Sequence, residues 1–177
     1  RYLIVGGGLA ATSAIEGIRE RDTDGEIVLL TAERELPYHR PPLSKGYLAG
    51  RDQIEAVRIH EPAWYRGNGV RVKLGQVAKS VHQGKQTVTL ESGDREPFDR
   101  LLLATGSRSR RINAPGAESA GIFHLRTLAE CGQLRAMLKP GAHLVCVGGG
   151  FVGMEVAAVA KELGAEIVPF QSNSEGA

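Results

Sequence analysis

A strand, a glycine-rich turn, a helix and a second strand occur twice in this chain, once near each end. In the first copy the apolar run 2–5 leads into Gly6-Gly7-Gly8. Residues 9–20 follow with Ala11, Ala14, Ile15 and Ile18 at the spacing of one helix face, and Gly25 precedes a second apolar run at 26–31. In the second copy the run 144–147 leads into Gly148-Gly149-Gly150, a helix is predicted over 151–163, and Gly164 precedes a strand at 166–170. Strands joined this way are parallel neighbours connected by a right-handed crossover, so the pattern predicts an α/β fold with parallel sheets.

The intervening sequence predicts further elements. Residues 36–46 read as a loop with Pro37, Pro41 and Pro42, and Glu61-Pro62 opens a short helix that Gly67 and Gly69 close. The runs 70–74, 77–81 and 87–90 are expected to form an antiparallel meander. A buried-type strand at 101–104 ends in Thr105-Gly106, and 108–121 is rich in Arg, Gly, Ser and Ala. Thr127 and Glu130 have capping-box spacing before a helix that Pro140-Gly141 ends. The expected organisation is a first domain segment over 1–107, a linker over 108–126, and the opening of a second domain over 127–177.

Composition narrows the function classes. With 22 basic and 20 acidic residues the net charge is +2, which gives no reason to expect nucleic acid or an anionic membrane as partner. No apolar run approaches the ~18 residues of a membrane-spanning helix, so the expectation is no membrane and, by default, the cytoplasm. Two cysteines, Cys131 and Cys146, are too few for a disulfide scaffold and form no C-x-x-C pair. The five histidines show no metal-ligand spacing, and no metal site is expected. The chain starts at Arg1 without Met, and its last residues carry no core pattern. Both ends are therefore expected to belong to a longer protein.

The glycine turns carry the chemistry. A dinucleotide pyrophosphate is held at a helix N-terminus, where free N–H groups and the helix dipole attract it. The chain must turn tightly, let the backbone approach the phosphates, and pack helix close to strand; the three small positions of G-x-G-x-x-G/A do these jobs. Gly6, Gly8 and Ala11 satisfy the pattern, with Leu9 and Ala10 between them. Gly148, Gly150 and Gly153 satisfy it again, with Phe151 and Val152 between them. Glu33 stands at the roughly 20-residue spacing expected of a carboxylate for the ribose hydroxyls. In the second copy Gln171 occupies the corresponding place, and Pro169, poorly tolerated in a central strand, sits inside the strand that leads to it. Two fingerprints predict two nucleotides.

Residues 36–48, Leu-Pro-Tyr-His-Arg-Pro-Pro-Leu-Ser-Lys-Gly-Tyr-Leu, are the most specific stretch. With the Gly6 fingerprint, Ala104-Thr105-Gly106, and the Gly148 fingerprint followed by Glu155, the chain resembles the oxygenase-coupled ferredoxin reductases. That group includes putidaredoxin and rubredoxin reductases and is related to apoptosis-inducing factor. The resemblance implies a Rossmann-like FAD-binding domain with an antiparallel β-meander, then the start of a second Rossmann-like domain for NAD(P)H. It implies FAD contacts from Gly8, Ala10, Glu33, Arg40, Lys45, Ala78, Thr105, Gly106 and Arg126, with Ala104 beside them. Lys45 is implied to flank the isoalloxazine, and an ion pair with Glu155 is expected there, making these two the candidate catalytic residues. Independently of the family, the three prolines stiffen the loop and reduce the entropy lost in fixing two cations beside an anionic cofactor.

The function implied is electron transfer from NAD(P)H through FAD to an iron–sulfur ferredoxin or rubredoxin that feeds an oxygenase. An NADH oxidase, the flavin module of a nitrite reductase, or a redox protein like apoptosis-inducing factor are the alternatives. No C-x-x-x-x-C follows the first βαβ unit, which argues against a dithiol relay.

Overall fold

The structure, a computed structural model, describes residues 1–170. Gln171, expected opposite the second nucleotide's ribose, lies outside the described residues. The elements begin with β1 (Tyr2–Val5), α1 (Leu9–Arg19), β2 (Ile27–Leu30), a 3-10 turn (Pro41–Ser44), α2 (Ile54–Val57) and α3 (Pro62–Gly67). Next come β3 (Val70–Lys73), β4 (Ala78–His82), β5 (Thr87–Leu90), β6 (Arg95–Pro97) and β7 (Arg100–Leu103). The chain then continues through α4 (Leu128–Met137), β8 (His143–Val147), α5 (Phe151–Glu162) and β9 (Glu166–Phe170). By their contacts these elements form two compact units, Arg1–His39 with Arg58–Ser107, and Arg40–Val57 with the described chain from Arg108 onward. The proline turn thus groups with the later part of the chain.

In the first unit a parallel sheet has the order β3-β2-β1-β7. Its two faces follow from alternation along each strand. Leu3, Val5, Val28 and Leu30 pack against Val88, Leu90 and Phe98 of the antiparallel layer. Ile4, Ile27 and Leu29 pack against Ala11 and Ile15 of α1 and against Tyr65 of α3. Both faces of β2 are therefore covered, and its four residues are all buried, as an unbroken Ile-Val-Leu-Leu run requires. Burying each such side chain contributes about 1.5–3 kcal/mol. Pro62 sits in the first turn of α3, where its missing N–H costs nothing. His60 stacks on Trp64 at 3.9 Å and places Nε2 2.6 Å from the Glu16 carboxylate of α1.

One expectation is corrected. The meander is β4-β5-β6, whereas 70–73 joins the parallel sheet as β3, pairing with β2. Val70 is buried with the α1-side core and Val72 packs against it, so the Val-x-Val alternation gains more beside β2 than in the smaller sheet. β6, which the sequence did not reveal, is a three-residue Arg-Glu-Pro strand with no apolar side chain facing in. Its buried Glu96 accepts from Arg1 at 3.0 Å and from Lys73, so ion pairs replace hydrophobic contact.

The loop from α1 to β2 is set by Asp22. Its Oδ1 accepts from the N–H groups of Asp24 and Gly25 at 3.0 and 2.7 Å, and its Oδ2 accepts from the Tyr2 hydroxyl at 2.9 Å.

In the second unit Thr127 caps α4 with both halves of the expected box. The Glu130 N–H donates to Thr127 Oγ1 at 3.2 Å, and the Thr127 N–H donates to the Glu130 carboxylate at 2.8 Å. Leu128, Cys131 and Leu134 of α4 and Val156, Val159 and Ala160 of α5 are buried. β8 and β9 pair in parallel, with Pro169 opposite Cys146. The α/β class, with parallel strands, an antiparallel meander and a second strand–helix–strand unit, is as expected. Among the described residues no helix is long and apolar enough to cross a membrane, and no group of metal-ligating side chains is present.

Candidate dinucleotide-binding sites

The first cradle lies where β1 feeds α1. Gly6 has φ +137°, and a Cβ there would stand 2.0 Å from the Ala104 carbonyl oxygen, so no side chain fits. The Gly6 N–H donates to Leu30 O at 2.8 Å and the Ala104 N–H to Val5 O at 2.8 Å, drawing the ends of three parallel strands together. Gly8 differs: its φ of −119° suits any residue, and a Cβ would meet nothing within 4 Å. It borders open space at the first turn of α1, which has no side-chain cap and no acidic residue. Leu9 is exposed and Ala10 follows it, while Ala11 is fully buried in the core against Ile4. Tight turn, open approach and close helix packing are thus divided among Gly6, Gly8 and Ala11.

Around this turn, Thr105 and Gly106 are exposed just past β7, Gly106 with φ +68°. Ala78 opens β4 and packs against the buried cluster of the meander side. Glu33 lies beyond the end of β2. Its carboxylate accepts a short hydrogen bond from Tyr38, and its backbone N–H donates to Thr31 Oγ1 at 3.2 Å. Tyr38 is buried; the sequence pattern marked Glu33 but not the residue that holds it.

The second cradle lies where β8 feeds α5. Gly148 has φ +104°, and at both Gly148 and Gly150 a Cβ would enter open space. At Gly153 it would stand 2.6 Å from the Gly148 carbonyl, so this third position keeps the helix close to the turn. The first turn of α5 has no side-chain cap and no acidic residue. Phe151 and Val152 are exposed there, Phe151 at 91%.

Beside this turn, in the same unit, sits a cavity of roughly 290 Å³ lined by Arg40, Ser44, Lys45, Arg126, Phe151 and Glu155 among others. Arg40 Nη1 donates to the Arg126 carbonyl at 2.9 Å, and the Arg126 N–H donates to Glu130 at 2.9 Å. Lys45 Nζ lies 2.8 Å from Glu155 Oε1, forming the ion pair expected from the sequence. Ser44 Oγ donates to the other oxygen, Oε2, at 2.5 Å. The hydrogen bonds from Lys45 and Ser44, with the Lys45 charge, hold the Glu155 carboxyl below the usual carboxylate range. Ser44 was not a candidate from sequence; nothing in the spacing of two distant residues announces their contact.

Strand–turn–helix units with glycine cradles at uncapped helix N-termini define a dinucleotide-binding α/β class. The chain belongs to the pyridine nucleotide-disulphide oxidoreductase family, whose model matches residues 1–175. It is 40% identical over 166 residues to the ferredoxin–NAD(+) reductase component of the anthranilate 1,2-dioxygenase system of Burkholderia cepacia, covering 94% of this chain and 41% of that protein. It is 32% identical to a rubredoxin-NAD(+) reductase of Pseudomonas putida, covering 96% and 44%. A solved covalent putidaredoxin reductase–putidaredoxin complex matches with a TM-score of 0.87 and 34% identity, over 95% of this chain and 41% of that one. The chain therefore spans about two fifths of the length of these relatives. Despite the family's description, both cysteines of this chain are free.

Proposed function

We propose that the intact protein is a cytoplasmic flavoprotein reductase passing electrons from NAD(P)H through FAD to a ferredoxin or rubredoxin that supplies an oxygenase. The observation that carries this reading is the presence of two glycine cradles, each at an uncapped helix N-terminus and each open where a dinucleotide's phosphates need backbone approach. The names of two relatives, a dioxygenase-system ferredoxin–NAD(+) reductase component and a rubredoxin-NAD(+) reductase, support the acceptor class.

The residues fit the cofactors. Gly8 and Ala10 offer backbone to the FAD pyrophosphate, with Leu9 between them, while Gly6 makes the turn and Ala11 seats the helix; Glu33 takes the ribose hydroxyls, and Ala78, Ala104, Thr105 and Gly106 complete that part. Arg40, Lys45 and Arg126 are assigned to the same cofactor by the family pattern. Gly148, Gly150, Phe151, Val152 and Gly153 hold NAD(P)H. FAD, when bound, accepts a hydride and releases its two electrons singly to one-electron acceptors. Lys45 supplies fixed positive charge, and Glu155 and the stiff proline turn keep that charge oriented in advance of the reaction.

The test is purification of the intact protein with measurement of flavin content and of NAD(P)H-dependent reduction of a [2Fe–2S] ferredoxin and a rubredoxin. One FAD per chain and acceptor reduction faster than oxygen consumption are expected. Protein that cannot be loaded with FAD overturns the reading. Oxygen consumption that dominates with every acceptor turns it toward an oxidase.

A further inference from the structure

The Lys45–Glu155 pair has a third member, Ser44, which the 36–48 stretch contains but the charge pattern does not mark. Ser44 is 95% buried as the last residue of the 3-10 turn, and its hydroxyl has a single hydrogen to donate. Two acceptors are within reach, the Pro41 carbonyl at 3.3 Å and Glu155 Oε2 at 2.5 Å. The shorter contact is to a charged acceptor, and charge-assisted hydrogen bonds are the stronger kind. One carboxylate thus receives the hydroxyl on Oε2 and the ammonium on Oε1.

These two donors differ in freedom. The Lys45 side chain is 52% exposed and reaches along a flexible stem, so alone it selects neither a carboxylate oxygen nor a rotamer. Ser44 has a short side chain on a turn that begins with two prolines. That turn is held to α4 as well, where the Cys131 thiol donates to the Leu43 carbonyl at 3.2 Å. Among the described residues, the charged groups lining the cavity are Arg40, Lys45, Arg126 and Glu155, so Glu155 is the one carboxylate in that lining.

We infer that Ser44 is a positioning residue: its hydroxyl fixes the Glu155 carboxylate on the first turns of α5 so that Oε1 is presented to Lys45. The structural part stands on the geometry alone; its consequence for flavin reduction rests on the function proposed above.

The test is carried out on the intact protein, with the Glu155 carboxyl followed by ¹³C NMR through a pH titration. Ser44→Ala is expected to move the Glu155 titration upward, and Ser44→Thr, which keeps the hydroxyl, to return it toward the original position. Arg51→Ala is the control, because Arg51 pairs with Glu162 on the same helix but away from the cavity; it is expected to leave Glu155 unmoved. A Glu155 titration unchanged in Ser44→Ala, or moved equally by Arg51→Ala, overturns the inference. If the substitutions at this buried site prevent folding, the H₂O/D₂O isotope shift on the Glu155 carboxyl of Lys45→Ala decides, because the Ser44 hydroxyl is then the remaining donor of the two. A resolved shift is expected, and its absence overturns the assignment. If the titration behaves as stated but the pH profile of flavin reduction by NAD(P)H does not shift with it, the positioning holds and the catalytic reading of the pair fails.

Discussion

Tyr38 donates its phenolic hydrogen to the Glu33 carboxylate from a position 1% exposed, so a core side chain holds the acid at the first cradle. Glu33→Ala in the intact protein is expected to weaken FAD binding by about 1–3 kcal/mol, the cost of leaving ribose hydroxyls unpaired. Tyr38→Phe is expected to act in the same direction by about 1 kcal/mol. Titration of apoprotein with FAD, followed by flavin fluorescence, checks both; an unchanged affinity in Glu33→Ala makes Glu33 an ordinary acid after a strand.

Gly6 and Gly8 are two residues apart and should fail differently. Gly6→Ala places a methyl against the Ala104 carbonyl at a φ unsuited to L-residues, so a loss of at least about 2 kcal/mol is expected in denaturant unfolding. Gly8→Ala meets no protein atom, so stability should change by less than about 1 kcal/mol while FAD affinity falls. Equal stability losses from both would remove the distinction between turn geometry and phosphate approach.

Asp22 gives the fold an acid-sensitive loop contact. Hydrogen bonds from the Gly25 N–H, the Tyr2 hydroxyl and the Asp24 N–H hold its carboxyl below the usual range. A carboxyl lowered on folding stabilises the protein above its unfolded value, near pH 4, and the contribution disappears as pH falls through the lower folded value. The stability difference between the unaltered protein and Asp22→Asn should therefore be level above about pH 5 and shrink below pH 4. Denaturant midpoints from pH 6 to pH 2 test this. A difference constant across that range rules it out.

Burial pushes the Cys131 thiol up to about 11, so it stays protonated at neutral pH. Iodoacetamide at pH 8 should leave Cys131 unlabelled in the folded protein over a period in which denatured protein labels fully. Mass spectrometry of digests measures it. Rapid native labelling would reopen a redox role for this thiol.

Much of this fold was legible in the sequence because its signals are local. The capping box at Thr127 needs only two residues three apart, and each glycine fingerprint is a strand–helix junction read in one stretch. The sequence pattern misplaces β3 because Val-x-Val alternation suits any half-buried strand; only the partner across the sheet, β2, decides. β6 was invisible because its inward residue is Glu96, and a buried acid announces itself only through Arg1 and Lys73. At the cavity, Lys45 and Glu155 could be paired in advance because the family resemblance marks both positions and their charges are opposite. Ser44, uncharged and between Leu43 and Lys45, offered no comparable sign.

The peptide of Arg126 is gripped from both directions, its N–H by Glu130 and its carbonyl by Arg40. Neither grip uses the atoms that distinguish arginine from any other residue. Position 126 is therefore a socket whose main chain is secured before a side chain is chosen. A lysine, glutamine or methionine installed there would face the cavity from an unmoved backbone. Under the proposed function, differences in FAD affinity among such variants would then report the side chain itself and no displacement of the wall that carries it.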